Sequence, residues 1–442
     1  MKTPKTKERV VITGMGIVCP LDNDVEAFWA GLLSGRSGIN RTTIFDASTF
    51  PTTFDAEVKN YNFRSHVRRP ELHEMASRGS GFAVGAAAQA CRQAGLDVET
   101  DKPADGIDRT RMGVYLGAGE GALDHDTFFA CILAGWDPQQ QAMAWAKSAP
   151  VAFARMEANY ELEQEPNMAA AHVAVLTGAR GPSRSCLTAC AASTQAVGEA
   201  MMLIRRGEAD VMIAGGAHSM IHPLGVTGFS RLTALSRRND SPTTASRPFC
   251  ASRDGFVLGE GAAILVLESL TSARRRGVKI LAELTGYGSS SDAFRVTDMH
   301  EEGRGPVQAM RAALADAGLT CQDIDYVNTH GTSTLENDSI ETLAIKTVFQ
   351  ERSRHVPASS IKSMLGHLIG AAGAAELIAC VLAIRDNIVP PTINLNDPDP
   401  KLDLDYVPNV PRQMPVNIVM KESFGFGGQN NVVIVKRFYE DK

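Results

Sequence analysis

Residues 181–207 read GPSRSCLTACAASTQAVGEAMMLIRRG, and the fold follows from how this stretch changes character at Cys190. Residues 184–187 suit a short buried strand. Residues 191–206 predict a helix, with small residues first, then Val197, Met201, Met202 and Ile204 at mixed three- and four-residue spacing, and Gly207 to stop it. Cys190 therefore stands where a strand ends and a helix begins. The unpaired N–H groups of a helix start carry roughly half a positive charge and favour thiolate over thiol. At the upper end of that effect, ~2 kcal/mol, a thiol that titrates at about 8.5 would fall toward neutral pH. A cysteine in alanine-rich sequence is more often a small buried hydrophobe, so the reading depends on what the rest of the chain brings to it.

The chain has 442 residues, 44% of them hydrophobic and 6% aromatic, enough to bury a large core in two domains or two fused halves. Its 44 basic residues against 50 acidic ones, net −6, make no field that would draw nucleic acid or an anionic membrane, so neither is expected as a partner. The eight cysteines are scattered without CxxC pairing, the pattern of reduced thiols in a cytoplasmic protein rather than a disulfide framework or a zinc site. The first residues, MKTPKTKERVVITGMG, hold no apolar stretch of signal-peptide length, and no run of 18 apolar residues predicts a membrane span.

Working outward, residues 9–13 predict a strand that enters a tight turn at Gly14-Met15-Gly16. That lone GxG is weak as a nucleotide loop, lacking the third glycine and the acidic residue beyond it. Residues 24–34 and 80–94 predict helices, residues 39–61 an irregular surface stretch, and residues 112–116 a strand opening on glycines. The acidic residues 157–167 read as a solvated face. A strand over residues 210–214 is expected to end at Gly215-Gly216. His218 and His222 are spaced for a metal pair but lack a third ligand, so structural roles are expected. Residues 254–268 make a glycine-hinged turn into a strand that needs burial on both faces, and residues 269–277 a helical connector.

The pattern then repeats. Residues 280–286 are again a strand ending on glycine, and residues 306–317 again an alanine-rich helix closed by Gly318. QAGLD at 93–97 is echoed by DAGLT at 316–320, an offset of 317 − 94 = 223. Aligning Glu199 with Glu376, an offset of 177, sets Cys190 opposite His367. Strands alternating with helices twice over predict a duplicated α/β architecture with parallel-rich sheets back to back, in an N-terminal half 1–268 and a C-terminal half 269–442, whose reactive groups meet near a pseudo-two-fold axis.

Four segments carry chemistry: the Cys190 elbow, VNTHGTSTLENDSIET (327–342), SSIKSMLGHLIGAAGAAE (359–376) and ESFGFGGQNN (422–431). Together, over essentially the whole chain, they resemble the β-ketoacyl-acyl-carrier-protein synthases of the elongating, two-histidine type, which are decarboxylating condensing enzymes. The resemblance implies the thiolase-like fold, with mixed sheets packed in α-β-α-β-α layers. It implies that Cys190 takes an acyl chain as a thioester, and that His330 and His367 bind a malonyl thioester carbonyl as CO2 leaves. The backbone N–H groups of Cys190 and Phe426 would form the oxyanion hole, with Phe426 also gating the acyl pocket and Phe424 in support. Lys362 enters the catalytic set, and Glu376, Asp338 and Glu341 hold histidine tautomers and geometry; for Asp338 the plain alternative is an exposed ion pair. Cys186 is expected to pack.

No metal or other cofactor is implied. The implied partners are acyl carrier protein bearing acyl and malonyl groups and a second subunit, either a homodimer or a heterodimer with a paralogue. Glu161, Glu163 and Glu165 where relatives have an apolar stretch, Gln429 where threonine is usual, and the loss of an Arg-Met-Asp-Arg run near residues 74–78 predict a specialised synthase. The rival reading is a non-catalytic chain-length-factor-like subunit; retention of Cys190 and both histidines argues against it. A thiolase would need a second reactive cysteine within residues 423–428, which contain none.

Overall fold

The computed structural model describes residues 7–119 and 121–440; the reading of residues 1–6 lies outside the described residues. Ten strands form one hydrogen-bonded sheet: β1 Val10–Val18, β2 Met112–Gly117, β3 Ser183–Cys186, β4 Val211–His218, β5 Gly261–Ser269, β6 Ala282–Ser291, β7 Tyr326–Asn328, β8 Ala358–Ser359, β9 Ile418–Gly425 and β10 Gln429–Lys436. Their order is β8-β7-β9-β10-β6-β1-β5-β4-β2-β3. Read from each end, the same five-strand pattern appears twice. In the first half β2 runs parallel to β3 and β4, and β5 antiparallel to β4 and β1. In the second, β7 runs parallel to β8 and β9, and β10 antiparallel to β9 and β6. The sheets are mixed rather than parallel-rich, and they join edge to edge where Val10, Val11 and Ile12 of β1 pair with β6.

Helices complete the layers. α1 (Arg78–Gln93) and α2 (Met168–Thr177) pack on the first half, α4 (Arg304–Ala317) with α5 (Leu335–Phe349) on the second, and α3 (Ala192–Arg205) and α6 (Ala372–Asp386) lie between, each touching strands of both halves. The result is the α-β-α-β-α stack of the thiolase-like fold. A helix covered by sheet on both sides must be apolar all round, and every residue of α6 from Ala372 to Ile384 is buried. The two inner helices approach closely because Gly373 has no side chain: a Cβ there would lie 2.0 Å from Thr194 Oγ1. This contact joins the starts of α3 and α6, and so brings Cys190 and His367 together.

Several glycines serve packing where the sequence suggested turns. Gly14 and Gly16 lie inside β1, whose nine residues are all buried, because α1 presses on the strand: a Cβ would fall 2.1 Å from the Ala90 carbonyl oxygen at Gly14 and 2.0 Å from that of Ala86 at Gly16. β4 and β6 likewise run on through Gly215-Gly216 and Gly286. Residues 39–61 are not wholly superficial, since Ile39, Phe54 and Ala56 are buried with Ala245 and Val257. Nor are residues 157–167 all solvated: Glu163 is buried and accepts from Ser77 N and Ser80 Oγ, both at 2.9 Å, with His172 Nε2 at 2.8 Å.

The internal repeat is real, but its inner register differs from the expected one. Matching 3-10 turns, Ala189–Ala191 and Ile369–Ala371, precede α3 and α6, and each opens with a non-glycine residue at positive φ, Ala189 at 47° and Ile369 at 44°. The offset is 369 − 189 = 180, which sets Cys190 against Gly370. Glu199 and Glu376 are not equivalent: Glu199 accepts from Tyr115 Oη at 2.5 Å and Gln195 at 2.8 Å, whereas Glu376 is buried against lysines. The outer offset of 223 does match the α1 and α4 ends, at Gly95 (φ 61°) and Gly318 (φ 66°). The two offsets differ because residues 118–182 between β2 and β3 form a longer insertion than residues 329–357 between β7 and β8.

Candidate active site

Three loops at strand ends and helix starts converge. Cys190 sits in the turn between β3 and α3, immediately after strained Ala189. His330 follows β7, and His367 precedes the turn into α6. The His367 backbone is pinned like a strand residue, its N–H donating to the Val257 carbonyl at 2.7 Å and its carbonyl accepting from Gly259 N at 2.9 Å. Cys190 Sγ and a ring nitrogen of each histidine lie within 4.8 Å of one another. The imidazoles meet edge to face, centroids 5.4 Å apart at 81°. Phe424 backs His330 at 5.9 Å and Phe256 backs His367 at 5.3 Å.

All three groups are buried, and burial governs their charge. It holds both histidines well below the usual imidazole range, helped by the positive charge of Lys362 and, for His330, by His367 itself. Each is a neutral ring at pH 7. Ile369 N donates to His367 Nδ1 at 3.3 Å, which leaves the ring proton on Nε2, a buried atom with no hydrogen-bond partner. Nδ1 of His330 is a second such atom. Unpaired buried polar atoms are costly, and these two are suited to meet an oxygen of a ligand.

The expected easily formed thiolate is corrected. Burial pushes the Cys190 thiol up to about 11, against the pull of Lys362 and of the Phe426 and Cys190 backbone N–H groups. Desolvation outweighs the helix start because the sulfur lies in a 3-10 turn, two residues before the first residue of α3, and is only 6% exposed. The two amides expected to form the oxyanion hole are thus the ones that draw the thiol's pKa down. The main chain is close there: a Cβ at Gly425 would lie 2.9 Å from the Thr188 carbonyl oxygen and 3.3 Å from Cys190 N.

The buried ionic groups grip the backbone of His330 rather than its ring. Lys362 Nζ donates to the His330 carbonyl at 2.6 Å and pairs with Glu376. Glu341 accepts from His330 N at 2.5 Å and Gly331 N at 2.7 Å, with burial raising it to about 7. Asp338 holds the next turn, accepting from Thr332 N, Ser333 N and Phe249 N at 3.1, 3.2 and 2.9 Å. It is fully buried, not an exposed ion pair. Of the expected roles, holding histidine tautomers and geometry, these contacts serve the geometry, by fixing the loop that carries His330. Cys186 packs half-buried, its thiol 3.3 Å from the Ala192 carbonyl. His218 accepts from Gly370 N at 3.4 Å, and His222 caps the helix Pro223–Arg231.

A cavity of about 360 Å³ opens onto the three groups, with Phe256, Phe424 and Phe426 among its walls. Phe426 is half-buried in that lining, followed by Gly427 and Gly428 at φ 86° and 74°. Thiolate and imidazole are also zinc donors; Cys190, His330 and His367 are the one cluster of three such donors among the described residues, and it includes no carboxylate.

Two family profiles, Beta-ketoacyl synthase, N-terminal domain, and Beta-ketoacyl synthase, C-terminal domain, match residues 7–273 and 281–396. The chain belongs to the β-ketoacyl synthase family. It is an elongating-type ketosynthase, 41% identical over 431 residues to 3-oxoacyl-[acyl-carrier-protein] synthase 2 of Staphylococcus aureus strain N315, covering 98% of this chain and 99% of that one. The enzyme of the same name from Coxiella burnetii is 40% identical, covering 98% and 100%. Among solved structures, a β-ketoacyl synthase from Burkholderia phymatum aligns with a TM-score of 0.85 at 34% identity, covering 98% of this ketosynthase and all of the other. A type II polyketide ketosynthase complex, with its acyl-carrier protein and a bound hexaketide, gives 0.85 at 33%, again covering 98% and 100%.

The sequence reading missed Phe256 and Lys421. Phe256 had no local signal. Lys421 had one: it lies with Glu422 inside the otherwise apolar strand β9, and a charged pair in such a strand must be partnered in the core. Of the departures from the family pattern, Glu165 lines a second cavity of about 240 Å³ with His125, His218 and His222, Glu161 accepts from Gln164 at 2.5 Å, and Gln429 opens β10 opposite Gly425.

Proposed function

We propose that this ketosynthase elongates acyl chains by decarboxylative Claisen condensation with malonyl carried on acyl carrier protein. The observation that carries the reading is a thiol and two neutral imidazoles within 4.8 Å at a buried cavity. In the first step the Cys190 sulfur loses its proton to the departing carrier group. The sulfur attacks the acyl thioester carbonyl, and the carrier thiol leaves. The tetrahedral oxyanion is met by the Cys190 and Phe426 N–H groups. In the second step the malonyl thioester oxygen accepts hydrogen bonds from His330 and His367 while the carboxylate leaves as CO2, so that the bond pair becomes an enolate. Neutral imidazoles suit this step, since they donate to a developing anion without having bound the carboxylate as a salt. The enolate carbon then attacks the acyl-Cys190 carbonyl, forming the new carbon–carbon bond and releasing the cysteine sulfur. Lys362, Glu376, Glu341 and Asp338 hold the His330 loop, and Phe426 gates entry.

The halves 1–268 and 269–442 supply the nucleophile and the histidines respectively. No helix among the described residues is long and apolar enough to cross a membrane, the eight cysteines are free, and the enzyme works in the cytoplasm as a homodimer. Leu133, Trp145 and Phe153 are 78%, 70% and 90% exposed, and β3 is an unpaired edge of the sheet; exposed apolar residues and an open edge strand fit association with a second copy. Glu163, Glu165 and three histidines in the lining of the second cavity favour a specialised synthase. The test is product analysis: acyl and malonyl carrier proteins should give a β-ketoacyl carrier two carbons longer and CO2. An acyl-enzyme that never turns over would favour the chain-length-factor-like subunit instead.

A further inference from the structure

We propose that Lys421 is a positioning residue for the condensation, its ammonium sharing the one carboxylate of Glu376 with Lys362, so that a positive charge in excess lies beneath the two imidazoles where the enolate forms. The inference rests on the condensing activity proposed above. Lys421 is fully buried on β9, four residues before Gly425. Its Nζ lies 2.8 Å from Glu376 Oε2 and 2.8 Å from the Glu422 carbonyl, 3.1 Å from Thr194 Oγ1, and in contact with Ser423 Oγ. Thr194 stands on α3, the helix that follows Cys190, and Glu376 on α6, which follows His367. One ammonium thus ties the nucleophile helix, the histidine helix and the strand leading to the Phe426 gate.

The charge balance shows why this matters beyond packing. Glu376 pairs with both lysines. The neighbouring Glu422 lies in the same buried cluster, its pKa held well above the usual carboxylate range by burial and by Glu341. The groups facing Lys421 are Glu376 and Cys380 on α6, Lys362, Glu422 and the two site histidines, and its charge is among the causes that keep His330 and His367 neutral. A low-dielectric site strengthens such a charge, and the cluster of Cys190, His330 and His367 includes no carboxylate of its own to use it. The enolate is the anion that uses it.

The test is Lys421→Met in the full chain, with malonyl decarboxylation and Cys190 acylation measured separately across pH. Glu376 keeps Lys362 as its partner, so the substitution leaves no buried charge unpaired and the protein is expected to fold. The decarboxylation kcat should fall about tenfold or more with KM unchanged. Its acid limb should move to higher pH, because removing a positive charge lets the imidazoles protonate more readily, while Cys190 acylation persists. Thr194→Val, which removes one Nζ contact at constant volume, should move the same limb by less and serves if Lys421→Met does not fold. An unchanged rate and acid limb in a folded variant, or equal loss of both half-reactions with the limb unmoved, would overturn the proposal. Wild-type turnover tests the condensing activity itself; only the ratio of variant to wild type tests Lys421.

Discussion

Replacing His330 with alanine should separate the two halves of the reaction. The backbone of this residue is held independently of its ring, by Glu341 at the N–H and Lys362 at the carbonyl, so the loop survives the substitution. The ring meets His367 and Phe424 and borders the cavity; its loss should cost less stability than the ~3–5 kcal/mol of a fully packed Phe→Ala change. The catalytic cost is larger. A preorganised donor aimed at developing charge in a water-poor site is worth about 10²–10³ in rate, ~2.7–4 kcal/mol, and His330 is only 3% exposed. His367 still donates through Nε2, so decarboxylation should fall by about 10²-fold rather than vanish. Acyl transfer should persist, because the sulfur and the two amides that draw its pKa down are untouched. Release of labelled CO2 from malonyl carrier protein, set beside mass spectrometry of acyl-Cys190, reads both steps. Decarboxylation at the wild-type rate, or equal loss of both steps, would refute the reasoning.

Two further predictions concern charge and packing. Alkylation of Cys190 by iodoacetamide, followed by peptide mass spectrometry, should keep accelerating with pH toward an inflection at about 11, since burial disfavours the thiolate; a plateau already reached near pH 8 would mean that the helix start dominates after all. Gly16→Ala should destabilise by about 1–3 kcal/mol, because its methyl would lie 2.0 Å from a helix carbonyl that cannot swing away; an unchanged melting temperature would contradict the reading of that glycine as a packing position.

Much of this was legible in the sequence because the chemistry is carried by short segments at strand ends. The strand, cysteine and helix of residues 181–207 are found in the order read, but the strand is an exposed sheet edge rather than a buried one, with Ser183 and Arg184 exposed and Leu187 52% exposed; the convergence of Cys190 with His330 and His367 follows from the duplication. What escaped has physical reasons. A glycine within an apolar run reads as a turn, yet at Gly14, Gly16, Gly215 and Gly216 the strand continues, because close backbone approach and turning make the same demand on a residue. The 180-residue inner offset was hidden because Glu199 and Glu376 share a type but not an environment. The thiol's resting state depends on how much water reaches the sulfur, which no local pattern encodes. Lys421 escaped because its partners, Glu376 and Thr194, lie 45 and 227 residues away.

The central claim, that Cys190 is the nucleophile of a site completed by His330 and His367, is tested most directly by mapping the acyl group. After incubation with an acyl carrier protein, peptide mass spectrometry should find a single thioester, on Cys190, that malonyl carrier protein then discharges. A thioester on Cys186 or another cysteine, or none at all in folded protein, would contradict the account.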